Sequence, residues 1–116
     1  MSSTLLYLIL VVFSGVSFVI YGILLFNSSR MKADFERFEL KKYTNLVGAL
    51  EILGGLGLIV GIVFEILLTI SSFGLATLML LGVFTRLKVR DNFELIIPAL
   101  FFLVLNSYIF YESIIK

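Results

Sequence analysis

Four long apolar stretches alternate with short polar ones, and almost every formal charge falls between the apolar runs. Leu5 to Phe26 is 22 residues without a charge, about 33 Å as a helix and enough to cross the hydrocarbon of a bilayer. Thr44 to Phe84 is 41 residues, which would measure about 61 Å as one helix, twice the membrane thickness. It must therefore fold as two spans, and the charge at Glu65 after Gly61 places their turn within Gly61 to Leu67. A fourth run follows, with Pro98 near its start, where a missing backbone donor is tolerated. The pattern predicts one all-α membrane domain over residues 1–116, with spans at about 5–26, 44–63, 66–84 and 95–111.

The first polar connection, Asn27 to Tyr43, carries five basic and three acidic residues. Met31, Phe35 and Phe38 recur at helical spacing, while Lys32, Glu36 and Glu39 lie away from them. This predicts an amphipathic helix resting in the membrane interface. The second connection, Thr85 to Glu94, adds three basic residues on the same side. Arg30, Lys32, Arg37, Lys41, Lys42, Arg86, Lys88 and Arg90 thus gather at one end, eight of the nine basic residues, against Lys116 at the other. The positive-inside rule puts that end in the cytoplasm and both termini outside. Tyr7, Tyr108 and Tyr111 are then expected as an aromatic belt on the outer interface, with Glu112 and Lys116 marking its edge.

Composition sharpens the class. Apolar residues make up 60% of the chain and mean hydropathy is +1.14, well above a soluble domain. The apolar N-terminal run has no basic segment before it and no small-residue cleavage site after it, and is read as a retained span. A net charge of +1 gives no reason to expect a nucleic-acid partner. The chain has neither cysteine nor histidine, which excludes thiol chemistry, disulfides, Cys/His zinc sites and histidine-ligated haem.

One ionisable residue breaks the pattern. Glu51 lies two turns inside the second span, where a charge costs several kcal/mol. Gly48 and Gly55 share its helix face, so the carboxyl is expected to point into the bundle. Helix rise puts Glu51, Tyr21 and Thr77 at similar depth, and Arg86 just past the third span has the reach to turn inward. Two states are open: Glu51 ionised and paired with Arg86, or protonated and hydrogen-bonded to Tyr21 or Thr77. Such a group binds a proton, a cation or the head of a lipid-like ligand, or only ties helices together. Gly22, Gly48, Gly54, Gly55, Gly57 and Gly61 are helix-packing positions, and Gly57 to Gly61 is a GxxxG. Asn106 and Ser107 are isolated in the last span and expected to bond to backbone. No phosphate loop, nucleophile–base pair, carboxylate pair or metal-ligand cluster is visible.

The run VGALEILGGLGLIVG at Val47 to Gly61, after the helix ending YGILLF at Tyr21 to Phe26, resembles the DoxX-like family of small four-helix membrane proteins. Gly48, Glu51 and Gly54 match that family's Gly-x-x-Glu-x-x-Gly helix, and Gly22 the glycine of its Gly-x-x-Lys-Leu signature. The segment TRLKVRDNFELIIPAL, with Asp91 and Pro98, is also similar. Leu25 stands where the family often has Lys, and Arg86 where a His often follows the third span. The resemblance implies a four-helix bundle in a bacterial inner (plasma) membrane, working beside another membrane protein or as a homo-oligomer. It implies an accessory or assembly subunit without chemistry of its own, and by family association an oxidoreductase complex with quinone. The alternative is a small proton-coupled transporter or a binder of lipophilic, quinone-like ligands that uses Glu51.

Overall fold

The computed structural model describes residues 3–115 and is all helical among them. Helix α1 spans Ser3–Asn27, α2 Ser29–Arg37, α3 Thr44–Val60, α4 Glu65–Lys88 and α5 Phe93–Ile115, with one 3₁₀ turn at Lys41–Tyr43. The four long helices are each apolar enough to cross a bilayer, and the molecule's longest dimension, 42 Å, matches a membrane with its headgroup layers. The α3–α4 turn falls inside the window the sequence allowed, at residues 61–64. Lys116 lies outside the described residues.

The chain runs up and down, and its helices form a ring in the order α1, α3, α4, α5. Contact is most extensive within the pairs α1/α3 and α4/α5, slighter between α3 and α4, and slightest between α1 and α5. Glycine spacing explains the first pair. Gly15 and Gly22 are seven apart on α1, as are Gly48 and Gly55 on α3, which keeps each pair on one helix face. Antiparallel register sets Gly15 against Gly55 and Gly22 against Gly48. A Cβ built on Gly22 would lie 2.7 Å from the Gly48 carbonyl oxygen, and one on Gly55 2.9 Å from the Val19 nitrogen. The backbones touch there, which lipid-phase association favours because lipid is as apolar as any side chain.

The core lies toward the end of the bundle opposite the basic connections, with Val11, Phe18, Leu58, Leu75, Phe102, Leu105 and Ile109 at its centre. Tyr7 departs from the expected belt. It is buried, its hydroxyl donates to the Ile109 carbonyl at 3.2 Å, and its ring meets that of exposed Tyr108 edge to face. A hydroxyl with a backbone acceptor in reach can afford burial; Tyr108 and Tyr111 stay outside.

At the basic end, α2 is shorter than the polar connection that contains it. Ser28 caps its start, its hydroxyl accepting from the Met31 N–H at 3.2 Å. Met31, Phe35 and Phe38 are half-buried while Lys32, Glu36 and Glu39 are exposed, so the amphipathic helix is present. Both α2 and α4 end in the same motif. Leu40 N–H reaches the Phe35 carbonyl and Asp91 N–H the Arg86 carbonyl, each across a residue with positive φ, Glu39 at 62° and Arg90 at 60°. These are Schellman-type stops built without glycine.

Candidate functional site: the Glu51 carboxyl and its surroundings

Each face of α3 has a separate task. Gly48 and Gly55 meet α1, while Gly54 packs on Leu75 and Gly57 on Ser71 of α4. Glu51 lies between these two contact lines, in the same column as Leu58 of the core, so its side chain enters the bundle and is only 8% exposed. Its Oε2 is the one fully buried side-chain oxygen or nitrogen among the described residues with no hydrogen-bond partner. Buried polar atoms are nearly always paired, and leaving one unpaired costs about 1–3 kcal/mol. Among the described residues, the folded chain supplies no partner for this oxygen.

Arg86 does not fill that role. Its guanidinium turns to the basic end, where Nη1 donates to Asp91 Oδ2 at 2.8 Å and Nη2 lies 3.6 Å from Asp34 Oδ2. Arg37 binds the same two aspartates: Nη1 to Asp91 Oδ1 at 2.6 Å, and Nη2 to Asp34 Oδ1 and Asp91 Oδ2, both at 3.3 Å. The Phe38 ring lies beneath both guanidinium groups, at 4.9 Å from Arg37 and 5.2 Å from Arg86. Two arginines and two aspartates neutralise one another within a helical turn or two. That closed set outcompetes a single carboxyl deep in the bundle. The hydrogen bond from Arg37, more than the one from Arg86, holds the Asp91 carboxyl below its ordinary range, although burial of its side chain works the other way. Asp91 in turn raises Arg37.

Tyr21 and Thr77 also do not reach Glu51. The Tyr21 ring packs edge to face on Phe102 of α5 and is partly open to lipid. Thr77 donates to its own helix, to the Phe73 carbonyl at 2.9 Å, and faces outward. It lines an apolar groove of about 460 Å³ between α3 and α4, with Leu50, Leu53, Gly54, Leu75 and Leu78. Gly54, one turn on from Glu51, forms part of the inner wall of this groove. The four residues expected to form one site thus lie in four separate places.

The bundle holds a polar contact that the sequence reading missed. Ser14 on α1 donates to Asn106 Oδ1 on α5 at 3.0 Å, and Asn106 Nδ2 donates to the Phe102 carbonyl; both residues are fully buried. The backbone bond was foreseen and the bond to Ser14 was not, because nothing in either span indicates which residues face each other. Asp34, Arg37 and Asp91 were missed for a related reason: the acids in two separate connections read as solvated charge.

A quinone head presents two carbonyl oxygens and needs donors placed at both. Thr77 donates its proton to its own helix, the Tyr21 ring faces α5 and Arg86 is paired at the basic end. Among the described residues, these three side chains gather no donor pair for such a head beside Glu51.

A family model described as DoxX-like family matches residues 3–107 of the chain. The chain belongs to the DoxX-like family. Its Gly48, Glu51 and Gly54 lie on α3, with both glycines against neighbouring helices and the carboxyl between them. The family assignment and the four apolar helices together make it an integral membrane protein. Neither the curated proteins nor the solved structures include a match.

Proposed function

We propose that this DoxX-like protein is a small membrane binder whose working group is the Glu51 carboxyl, taking a proton or the polar head of a lipophilic ligand inside the bundle. The observation that carries this reading is the unpartnered, buried Oε2 of Glu51. A carboxyl kept only to tie helices together would be hydrogen-bonded across them, as Asn106 is to Ser14. The groove between α3 and α4 gives an apolar molecule a lipid-side approach to the wall at Gly54. Proton exchange against a lipophilic cation is the simplest use of such a group. The test is binding of tetraphenylphosphonium to the purified protein with proton release followed in weak buffer. About one proton released per cation bound, and neither binding nor release in Glu51→Gln, is the expected result. Equal binding by wild type and Glu51→Gln contradicts the proposal.

A second reading, an accessory or assembly subunit of a larger membrane complex, is favoured by two open glycines of α4, of which Gly74 also lines the α3–α4 groove. On α4, a Cβ at Gly74 or at Gly82 would meet nothing within 4 Å beyond the backbone of its own helix. Small residues on an open, lipid-level face admit the close approach of a partner's helix. Pulldown from native membranes in mild detergent tests it. A stoichiometric partner lost in Gly74→Leu and Gly82→Leu, but kept in Glu51→Gln, supports this reading over the first. In either case the basic end is taken to face the cytoplasm.

A further inference from the structure

The ion-pair cluster changes what remains of the charge at the basic end. The two connections hold eight basic residues and five acidic ones, Asp34, Glu36, Glu39, Asp91 and Glu94, a net of +3 (8 − 5). Two of the acids, Asp34 and Asp91, are committed to Arg37 and Arg86. The lysines are left without an ion pair among the described residues.

Three of those lysines converge. Lys32 on α2, with Lys41 and Lys42 on the 3₁₀ turn, lines an open cavity of about 580 Å³ together with Thr44 and Asn45 at the start of α3. The turn is fixed rather than loose. Buried Thr44 donates its hydroxyl to the Lys41 carbonyl at 2.8 Å, and the Tyr43 N–H reaches the Leu40 carbonyl at 2.9 Å. Lys42 lies over the exposed Tyr43 ring at 5.1 Å, an aromatic at the level where headgroups meet hydrocarbon. The Asn45 side chain is exposed beside them and adds amide donors.

We propose that this cavity binds the phosphate of an anionic phospholipid, with Lys32, Lys41 and Lys42 as its cationic walls. Its position at the end of the membrane-crossing α3 puts it at headgroup depth, and basic pockets beside transmembrane helices on the side rich in Lys and Arg suit anionic headgroups. The two acyl chains would lie along the exposed apolar face of α3, at Leu46, Leu50 and Leu53. The headgroup cavity is separate from Glu51 and stands whether or not the proposed function does, while the acyl chains would share Leu50 and Leu53 with the α3–α4 groove.

The test is lipid retention by the full-length protein in native mass spectrometry, with phosphatidylglycerol and phosphatidylcholine supplied in equal amounts. The wild type is expected to retain phosphatidylglycerol roughly a hundredfold over phosphatidylcholine, at the strength three surface lysines give. Lys32→Gln/Lys41→Gln/Lys42→Gln is expected to lose that preference, while Lys88→Gln/Arg90→Gln keeps it. All three lysines are exposed, and an unchanged thermal midpoint confirms that the triple variant is folded. Equal retention of the two lipids by wild type, or an undiminished preference in the triple variant, overturns the proposal. Displacement of the bound lipid by millimolar inorganic phosphate would show that the cavity takes free phosphate, and would overturn the assignment to lipid.

Discussion

Arg37 on α2 grips Asp91, fifty-four residues further along the chain, through both carboxylate oxygens, at 2.6 and 3.3 Å. That bond, with Arg86 on the other side, fixes the interfacial helix to the connection between α4 and α5. The side chain of Asp91 is only 6% exposed, so the pair is more than a surface decoration.

Its pH dependence has a definite sign. Because Arg37 and then Arg86 depress the folded carboxyl below its ordinary value of 3.8, Asp91 contributes stability above that value, and the contribution is lost as pH falls through the folded one. The thermal midpoint in detergent is expected to drop below about pH 4 for the wild type. Asp91→Asn should have a lower midpoint at neutral pH and a flatter acid limb, and adding Arg37→Gln to it should cost little more.

The α1/α3 contact predicts a sharp difference among glycines. At Gly55 a methyl group would meet the backbone of Gly15 and Val19, so Gly55→Ala is expected to destabilise by about 1–3 kcal/mol. At Gly74 and Gly82 nothing is near. Alanine there should be neutral or up to about 1 kcal/mol stabilising, through helix propensity alone. Reversible unfolding in mixed micelles ranks the three variants.

The buried bond from Ser14 to Asn106 is a modest one. Hydrogen bonds between membrane helices average about 0.6 kcal/mol and reach about 1.7. Ser14→Ala is expected to cost within that range, and a double-mutant cycle with Asn106→Ala should return a coupling energy of the same size. A coupling near zero would show that the two side chains do not meet.

Glu39 holds a left-handed conformation that a side chain pays about 1–2 kcal/mol to adopt. Glu39→Gly is therefore expected to raise stability by about 1 kcal/mol, with α2 unchanged by circular dichroism. A loss would mean that the Glu39 side chain makes a contact that outweighs its backbone strain.

The sequence carried the four spans and the amphipathic helix because hydrophobic periodicity is a local property. The turn at residues 61–64 was found to within its window for the same reason. Helix ends were less legible: α2 and α4 stop at Glu39 and Arg90, where a reader looks for glycine. The site was legible in one residue. Glu51 stands out by its cost in an apolar span, whereas the partners assigned to it were chosen by depth alone. Depth ignores azimuth, and azimuth turns Thr77 outward and Tyr21 toward α5. Arg86 was drawn away by Asp34 and Asp91, acids whose proximity only the folded connections create.

The proposed function requires Glu51 to be a free carboxyl inside the membrane. Dicyclohexylcarbodiimide, an apolar reagent that modifies carboxyl groups in hydrocarbon surroundings, tests it directly with peptide mapping by mass spectrometry. A single modified site is expected in the membrane-spanning helices, at Glu51, absent in Glu51→Gln and protected by a bound lipophilic cation. An unreactive Glu51 in protein that is labelled at Glu65 or Glu112 would contradict it.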